Sequence, residues 1–358
     1  MGFVQEEHEE HVRIKSDGPL MEITLNRPRA INSLTLPMVR RLADAFRRAR
    51  EDDGISMVLL TGSGPRGFCA GGDIKELAQA VREGAAEKAE AFFREEYALD
   101  LAIHRFPKPV VVLAHGVTMG GGLGLAAGAD AVIATETTHM AMPETRIGFF
   151  PDVGATGWLF QKCPPGYPEY LALTGYDLVG GDCVRVGLAT HYVPGRRLEP
   201  LRDALRRAAL QAAADPQGES WRRVLEELSE PVGERDPAVD AWVRTYFCGK
   251  SDILEIMGEL SACSLHSELC QGVFQRLSER SPTAVVLTLR LLRRHEGRPL
   301  EQVFATEERA AAWIIRHPDY LEGVRARLLD KDDNPRWQPP TLEEVGSLDH
   351  LDFLKADP

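Results

Sequence analysis

The first half of the chain alternates strand-like and helix-like segments, and this alternation restricts the fold more than any other feature. Residues 12–15 and 20–25 have the apolar pattern of strands, and residues 36–50 carry apolar side chains at helical spacing. Two further apolar runs, residues 56–61 and 109–114, are typical of buried strands. Strands that alternate with helices in this way predict an α/β fold with a mostly parallel sheet.

After about residue 195 only helical patterns remain. We predict helices over residues 198–214, 221–228, 239–247, 253–260, 268–278, 283–294 and 300–315. From Asp330 the chain is rich in Asp, Pro and charged residues, which predicts an irregular tail on the surface. The chain is therefore expected to have two parts, an α/β core over residues 1–197 that holds the functional site and a helical region over residues 198–358.

Composition and charge exclude several classes of protein. A formal net charge of −12 argues against a general nucleic-acid binder, since phosphate contacts need clustered cations. No apolar run reaches the roughly twenty residues of a membrane helix, and residues 1–10 are too acidic for a secretory signal. The six cysteines form no CxxC pair, and the ten histidines have no metal-binding spacing. We therefore expect reduced thiols, no bound metal and a cytoplasmic protein.

Two glycine-rich segments are expected at strand-to-helix junctions. They are Ala70-Gly71-Gly72-Asp73 and Gly120-Gly121-Gly122. Either alone would be typical of a plain turn or of close backbone packing. Together they supply unobstructed main-chain N–H groups from two loops, the minimum for binding a developing oxyanion. Residues 62–67 also match G-x-G-x-x-G, but Pro65 and Gly67 prevent the helix that a dinucleotide would need, so no nicotinamide cofactor is expected.

Two carboxylates lie in an unusually apolar stretch. Glu144 is surrounded in sequence by Met, Pro, Ile and Phe, which favours a partly dry pocket, a raised pKa and a role as base or nucleophile. Asp152 could assist it, or could cap a helix that starts near Val153. Glu96 follows Glu95 on a predicted helix, and the default interpretation of the two residues is an acidic pair that faces solvent. Arg27 and Arg29 form a basic turn that would suit a phosphate but is also common on surfaces.

Several segments resemble known proteins. Residues 26–34 (NRPRAINSL), 68–75 (FCAGGDIK) and 115–122 (HGVTMGGG) are similar to the enoyl-CoA hydratase/isomerase (crotonase) superfamily. Residues 92–97 (FFREEY), 141–154 (AMPETRIGFFPDVG) and 317–337 resemble the branch of that superfamily that hydrolyses 3-hydroxyisobutyryl-CoA. The resemblance covers nearly the whole chain. It implies a crotonase-like core, in which ββα repeats form a spiral, and a helical C-terminal part.

The resemblance also implies roles for individual residues. The oxyanion hole would be the N–H groups of Gly72 and Gly121, which would hold a thioester oxygen. Glu144 and Asp152 match the catalytic pair, and Glu96 matches a further acidic residue that binds substrate together with Gly121, Glu144 and Asp152. The residues matched to binding of coenzyme A are Arg27, Arg29, Ala30 and Ala70.

The implied reaction is hydrolysis of 3-hydroxyisobutyryl-CoA, or a related 3-hydroxyacyl-CoA, to the free acid and CoA, as in valine catabolism. CoA is part of the substrate, and no other cofactor is implied; a homo-oligomer is a further expectation.

The alternatives are a hydratase or isomerase acting on an enoyl-CoA, and a non-catalytic acyl-CoA-binding protein. Gly124 stands where hydratases of the superfamily carry a second catalytic glutamate, which disfavours hydration. Arg146, where a small residue is usual, could lower the pKa of Glu144 or contact an acyl carboxylate.

Overall fold

The computed structural model describes residues 11–211, 219–264 and 267–355. These form two compact units, each assembled from separate stretches of the chain. The first unit holds the described residues within Met1–Gly72, Ala98–Met140 and Leu178–Glu234, and the second those within Asp73–Tyr97, Ala141–Asp177 and Arg235–Pro358. The predicted division of the chain at residue 197 stays a prediction, and residues 1–10 lie outside the described part.

Nine strands are found in the described residues. They are β1 (Val12–Asp17), β2 (Leu20–Leu25), β3 (Met57–Gly62), β4 (Val110–Leu113), β5 (Val117–Met119), β6 (Ala131–Ala134), β7 (His139–Ala141), β8 (Leu178–Val179) and β9 (His191–Tyr192). Six of them form a sheet in the order β1-β2-β3-β4-β6-β9, in which only the β1–β2 pair is antiparallel. A small sheet has the order β5-β7-β8.

Sixteen α-helices are found in the same residues. They are α1 (Leu36–Glu51), α2 (Ile74–Arg82), α3 (Ala86–His104), α4 (Gly121–Ala127), α5 (Ala155–Lys162), α6 (Tyr167–Thr174), α7 (Gly181–Val186), α8 (Leu198–Leu210), α9 (Glu219–Leu228), α10 (Pro237–Phe247), α11 (Ile253–Ala262), α12 (Ser267–Ser278), α13 (Pro282–His295), α14 (Leu300–Ile314), α15 (Pro318–Val324) and α16 (Leu342–Val345). Short 3₁₀ turns include Pro28–Ala30 and Glu144–Ile147. None of the described helices is both long and apolar enough to cross a membrane.

One face of the large sheet is covered by helices α8 and α9. Alternate residues of β3, β4 and β6 point to this face because strand side chains alternate, and Leu59, Val111 and Ile133 are fully buried there. Leu205 of α8 and Leu225 of α9 pack against them. Burial of these apolar side chains attaches both helices to the sheet of the first unit, with each large aliphatic side chain contributing about 1.5–3 kcal/mol.

The prediction that all six cysteines are reduced is wrong for one pair. Cys263, after α11, and Cys270, in α12, form a disulfide, with their Cα atoms 6.3 Å apart. The other four cysteines form no disulfide within the described residues. The two cysteines are seven residues apart, one just after α11 and the other within α12. The expected cytoplasmic location is not tested by this pair and stays a prediction.

Candidate active site

In the first unit, the two glycine-rich loops lie against each other. Cys69 forms a parallel bridge with Thr118, and the Met119 N–H donates to the Cys69 carbonyl at 3.0 Å. Gly71 has a positive φ of 95°, and a Cβ added to it would lie 3.1 Å from the Met119 oxygen and 3.2 Å from the Gly121 nitrogen. Only glycine fits this approach without strain. The structure thus brings together the two loops that carry Gly72 and Gly121.

Close packing also explains the glycines at the start of α4. A Cβ on Gly122 would lie 2.3 Å from the Cys69 carbonyl oxygen, so this helix can approach the first loop only with glycine there. Gly121 is the first residue of α4 and is buried. The first N–H groups of a helix have no acceptor within it, so they can bind a negatively charged atom.

The basic turn is held mainly by its own residues. Arg27 donates from Nη1 to the Ser33 carbonyl at 2.7 Å and to its hydroxyl at 3.2 Å. Arg29 is exposed, Ala30 is half-buried, and the Ala70 N–H donates to the carbonyl of Ile31 at 2.9 Å, which joins the turn to the first glycine loop.

Arg66 is a residue that the sequence interpretation missed. Its guanidinium donates to the carbonyl oxygens of Pro28 and Arg29, and its side chain is exposed. It therefore adds a second cation beside Arg29. Arg66 lies within the G-x-G-x-x-G match, a motif that specifies only glycines and gives no role to the residue at this position.

In the second unit, Glu144 is buried at the start of a 3₁₀ turn. Only 8% of it is exposed, and its Oε2 has no hydrogen-bond partner in the described part of the chain. Burial raises the pKa of Glu144 well above its ordinary value, and the nearby charge of Asp152 raises it further. The apolar neighbours in sequence indicated this dry environment correctly.

Asp152 is also buried and is held by a tyrosine. The Tyr97 hydroxyl donates to Asp152 Oδ2 at 2.7 Å, and both residues are at most 5% exposed. Burial raises the pKa of Asp152 to about 7, while the bond from Tyr97 opposes that shift. The alternative role of Asp152 as a helix cap is not observed, because α5 starts at Ala155 with Gly154 in the cap position.

The expected solvent-facing position of Glu96 is wrong. Glu96 is 2% exposed and shares the buried face of α3 with Phe92, Phe93 and Tyr97, whereas Arg94 points to solvent. Residues three or four apart in a helix lie on one face. Because Phe92 and Phe93 are buried, Glu96 and Tyr97 on the same face are buried as well. The sequence FFREEY contained this pattern.

Glu307 is a further buried carboxyl, and with Glu96, Glu144 and Asp152 it forms an acidic cluster in the second unit. Glu307 Oε2 accepts from the Gly154 N–H at 2.6 Å, and Oε1 accepts from the N–H and the hydroxyl of Thr156 at 3.2 and 2.5 Å. It therefore caps α5 from a distant helix, α14. Burial raises the pKa of Glu307 to about 8. Glu307 follows Val303 and Phe304 at helical spacing and shares their buried face, whereas Glu308 beside it is exposed.

Aromatic rings on the segments that carry the carboxyls pack against each other. Phe149 stacks on Phe93 and on Phe150, with ring centres 5.1 and 4.8 Å apart. Tyr320 packs against Phe149 at 5.9 Å, and Tyr97 against Phe304 at 6.0 Å. An apolar wall of this kind favours the neutral form of a carboxyl group.

Arg146 does not act on Glu144 as one expectation held. Its exposed guanidinium pairs with Asp333 of the tail at 3.3 Å, and Arg327 pairs with the same carboxylate at 2.7 Å. The pKa of Glu144 is raised, whereas a positively charged guanidinium beside its carboxyl group would lower that pKa. The described residues contain no cluster of three or more side chains suited to a metal ion.

A family model described as enoyl-CoA hydratase/isomerase matches residues 20–353. The chain belongs to this family. Among curated proteins it is similar to "3-hydroxyisobutyryl-CoA hydrolase, mitochondrial" of Homo sapiens, at 37% identity over 97% of this chain and 89% of that protein. The protein of the same name from Danio rerio is 37% identical over 90% of this chain and 84% of its own length.

Solved structures confirm the predicted crotonase-like α/β fold. A carnitinyl-CoA dehydratase from Mycobacterium thermoresistibile matches with a TM-score of 0.85 and 33% identity, over 97% of each chain. An enoyl-CoA hydratase from Rhodobacter sphaeroides 2.4.1 matches with a TM-score of 0.81 and 33% identity, over 94% of this chain and 96% of that one. The family is thus settled, whereas these relatives are named for different reactions.

Proposed function

We propose that this protein hydrolyses the thioester of 3-hydroxyisobutyryl-CoA, or of a closely related 3-hydroxyacyl-CoA, to the free acid and CoA, a step of valine catabolism. The observation that supports this most strongly is the pair of buried carboxyls, Glu144 and Asp152, each with a raised pKa. The identity to hydrolases of that name over nearly the whole chain supports the same reaction.

In this proposal Glu144 starts the reaction. A poorly solvated carboxylate is a stronger base and nucleophile than an exposed one. Glu144 either attacks the thioester carbon directly or removes a proton from the water that attacks it. In both routes the C–S bond breaks, CoA leaves as the thiol, and water supplies the oxygen and hydrogen of the products.

The other assigned residues stabilise or bind. The N–H groups of Gly72 and Gly121 would hold the thioester oxygen as it gains negative charge, and losing one such donor typically costs about 3–4 kcal/mol of barrier. Asp152 would bind the 3-hydroxyl of the acyl group, since Tyr97 fixes its other oxygen. Glu96 would bind substrate.

The basic turn would contact the CoA part, and its residues are Arg27, Arg29, Ala30 and Ala70. Arg29 is the exposed cation of this set, whereas the guanidinium of Arg27 is engaged by Ser33. No cofactor other than the CoA of the substrate is proposed. A cytoplasmic location and a homo-oligomer remain proposals as well.

The second candidate is hydration of an enoyl-CoA, which the names of the two similar solved structures favour. Two-glutamate hydration would need a second acid at position 124, where this chain has a buried glycine. Asp152 is the remaining acid that could replace it, which makes this the weaker candidate.

Free thiol release from 3-hydroxyisobutyryl-CoA separates the two candidates, with crotonyl-CoA assayed in parallel for loss of its double bond. We expect thiol release from the first ester and an unchanged double bond in the second. Loss of the double bond without thiol release from either ester would instead identify a hydratase.

A further inference from the structure

Tyr320 is a buried residue whose hydroxyl has no partner among the described residues. It lies in α15, is fully buried, and its Oη makes no hydrogen bond to any residue that the structure describes. A buried polar group left in this state typically costs about 1–3 kcal/mol. Such an atom is expected to be satisfied when a ligand binds.

The backbone of α15 places Tyr320 beside the turn that carries Glu144. Gly148 ends this turn with a positive φ of 71°, and a Cβ added there would lie 2.2 Å from the Asp319 carbonyl and 2.9 Å from the Tyr320 nitrogen. The next residue, Phe149, packs its ring against that of Tyr320. Tyr320 is therefore held at the catalytic turn by its main chain and by its ring.

The hydroxyl of Tyr320 lies within range of the charge of Asp152, and it donates no hydrogen bond to that carboxylate. Burial raises the pKa of Tyr320, and the charge of Asp152 raises it further. Asp152 Oδ2 already accepts from Tyr97, so the two tyrosines differ: Tyr97 is bonded to the carboxylate and Tyr320 is not.

A substrate hydroxyl needs both an acceptor for its proton and a donor for its oxygen when it leaves water. The carboxylate of Asp152 can only accept, so it satisfies half of this requirement. A tyrosine O–H that reaches the same hydroxyl oxygen would supply the other half.

We propose that Tyr320 is a substrate-binding residue that recognises the 3-hydroxyl of the acyl group, donating from Oη to the hydroxyl oxygen while that hydroxyl donates to Asp152. The proposal rests on the proposed function, because it specifies how the same site selects its acyl group. An ester without the hydroxyl would leave two buried polar groups unpaired, which is how such sites reject an analogue.

The test compares two esters and two tyrosine variants. The esters are 3-hydroxyisobutyryl-CoA and isobutyryl-CoA, which differ in the 3-hydroxyl alone. Tyr320→Phe removes only the hydroxyl and keeps the ring against Phe149. The matched control is Tyr170→Phe, since Tyr170 is buried in the same unit but lies among the rings of Trp242 and Phe247.

For Tyr320→Phe we expect kcat/KM to fall about tenfold or more on 3-hydroxyisobutyryl-CoA and to change less than about twofold on isobutyryl-CoA, corresponding to one lost hydrogen bond. Tyr170→Phe should keep the ratio of the two esters at the wild-type value. The dissociation constants of both esters, measured with Tyr320→Phe in a Glu144→Gln background, should show the same loss of preference without turnover.

An equal fall on both esters would mean that Tyr320 only supports the fold, and an unchanged kcat/KM for both esters would mean that its hydroxyl does not contact the substrate. Either result overturns this proposal and leaves the proposed function standing. If the wild type releases no thiol from 3-hydroxyisobutyryl-CoA, the proposed function fails and the proposal for Tyr320 fails with it.

Discussion

At the scale of single residues, the unusual feature is the number of acids kept away from water. Glu144, Asp152 and Glu307 are each less than 10% exposed, and burial raises the pKa of all three. Charged carboxylates in one dry region repel each other, so at neutral pH the cluster retains protons that the unfolded chain would release. The site is thus built at a cost in stability that depends on pH.

This cost can be measured through Glu307, whose pKa of about 8 in the folded protein exceeds the ordinary value of 4.5. Between these values the folded chain holds a proton that the unfolded chain loses, so the free energy of unfolding falls as pH rises. Glu307→Gln cannot titrate. We expect the stability of the wild type relative to this variant to decrease from pH 5 to pH 8, by at most about 1.4 kcal/mol per pH unit.

Urea unfolding at several pH values checks this, and Glu308→Gln is the matched control. Glu308 follows Glu307 on α14 and is exposed. For Glu308→Gln, the curve of unfolding free energy against pH should therefore run parallel to that of the wild type. If the curves of Glu307→Gln and of the wild type were parallel as well, Glu307 would titrate alike in both states and the proposed protonation would be wrong.

The sequence reveals only some of these residues. Glu144 stands out because apolar residues surround it along the chain. Glu307 and Tyr320 do not, because their importance comes from contacts with residues far away in sequence. The bond from the Gly154 N–H to Glu307, for example, spans 153 residues. No local pattern records such a pairing.

At the scale of elements, the turn that carries Glu144 is held by helix starts from the C-terminal half. The Ser281 N–H at the start of α13 donates to the Thr145 carbonyl at 3.2 Å. The Ser281 hydroxyl donates to Asp319 Oδ2 at 2.5 Å, and Asp319 Oδ1 accepts from the Gln338 N–H at 2.7 Å. This chain of bonds links the turn to α13, to α15 and to the tail.

The packing of α15 on this turn can be tested with two helix glycines. A Cβ on Gly323 would lie 2.4 Å from the main-chain carbonyl of Ile147, whereas a Cβ on Gly258 in α11 would meet nothing within 4 Å. We expect Gly323→Ala to lose about 1–3 kcal/mol of stability from overpacking. Gly258→Ala should gain up to about 1 kcal/mol from its higher helix propensity.

Urea midpoints of the two variants measure both effects, and hydrolysis by Gly323→Ala should also fall because Ile147 belongs to the turn of Glu144. Equal midpoints for Gly323→Ala and the wild type would show that α15 does not press on this turn, and the account of how the turn is held would then be wrong.

Helices were predictable where one of their faces meets water. The helix predicted over residues 36–50 is observed as Leu36–Glu51, and the apolar strand over residues 20–25 has the predicted bounds. Helix α6 was missed because all of its residues are buried, which removes the apolar periodicity. The two-residue strands β8 and β9 are too short to show alternation. The predicted helix over residues 198–214 is observed to Leu210, and residues 212–218 lie outside the described part.

At the scale of the whole molecule, neither of the two units is a single continuous stretch of the sequence. Each unit combines stretches from both halves of the sequence, so patterns read in order predict the fold class and not which segments group together. The two glycine loops belong to the first unit and the acidic cluster to the second. The family match to residues 20–353 takes in both sets of residues.

The most direct test of the central claim compares the wild type with Glu144→Gln for thiol release from 3-hydroxyisobutyryl-CoA. Glutamine keeps the shape of the side chain but can neither attack the carbonyl nor take up a proton. We predict that kcat falls by about three orders of magnitude or more while affinity for the ester is retained. A variant within threefold of the wild type would contradict the account and place the hydrolytic chemistry elsewhere in the protein.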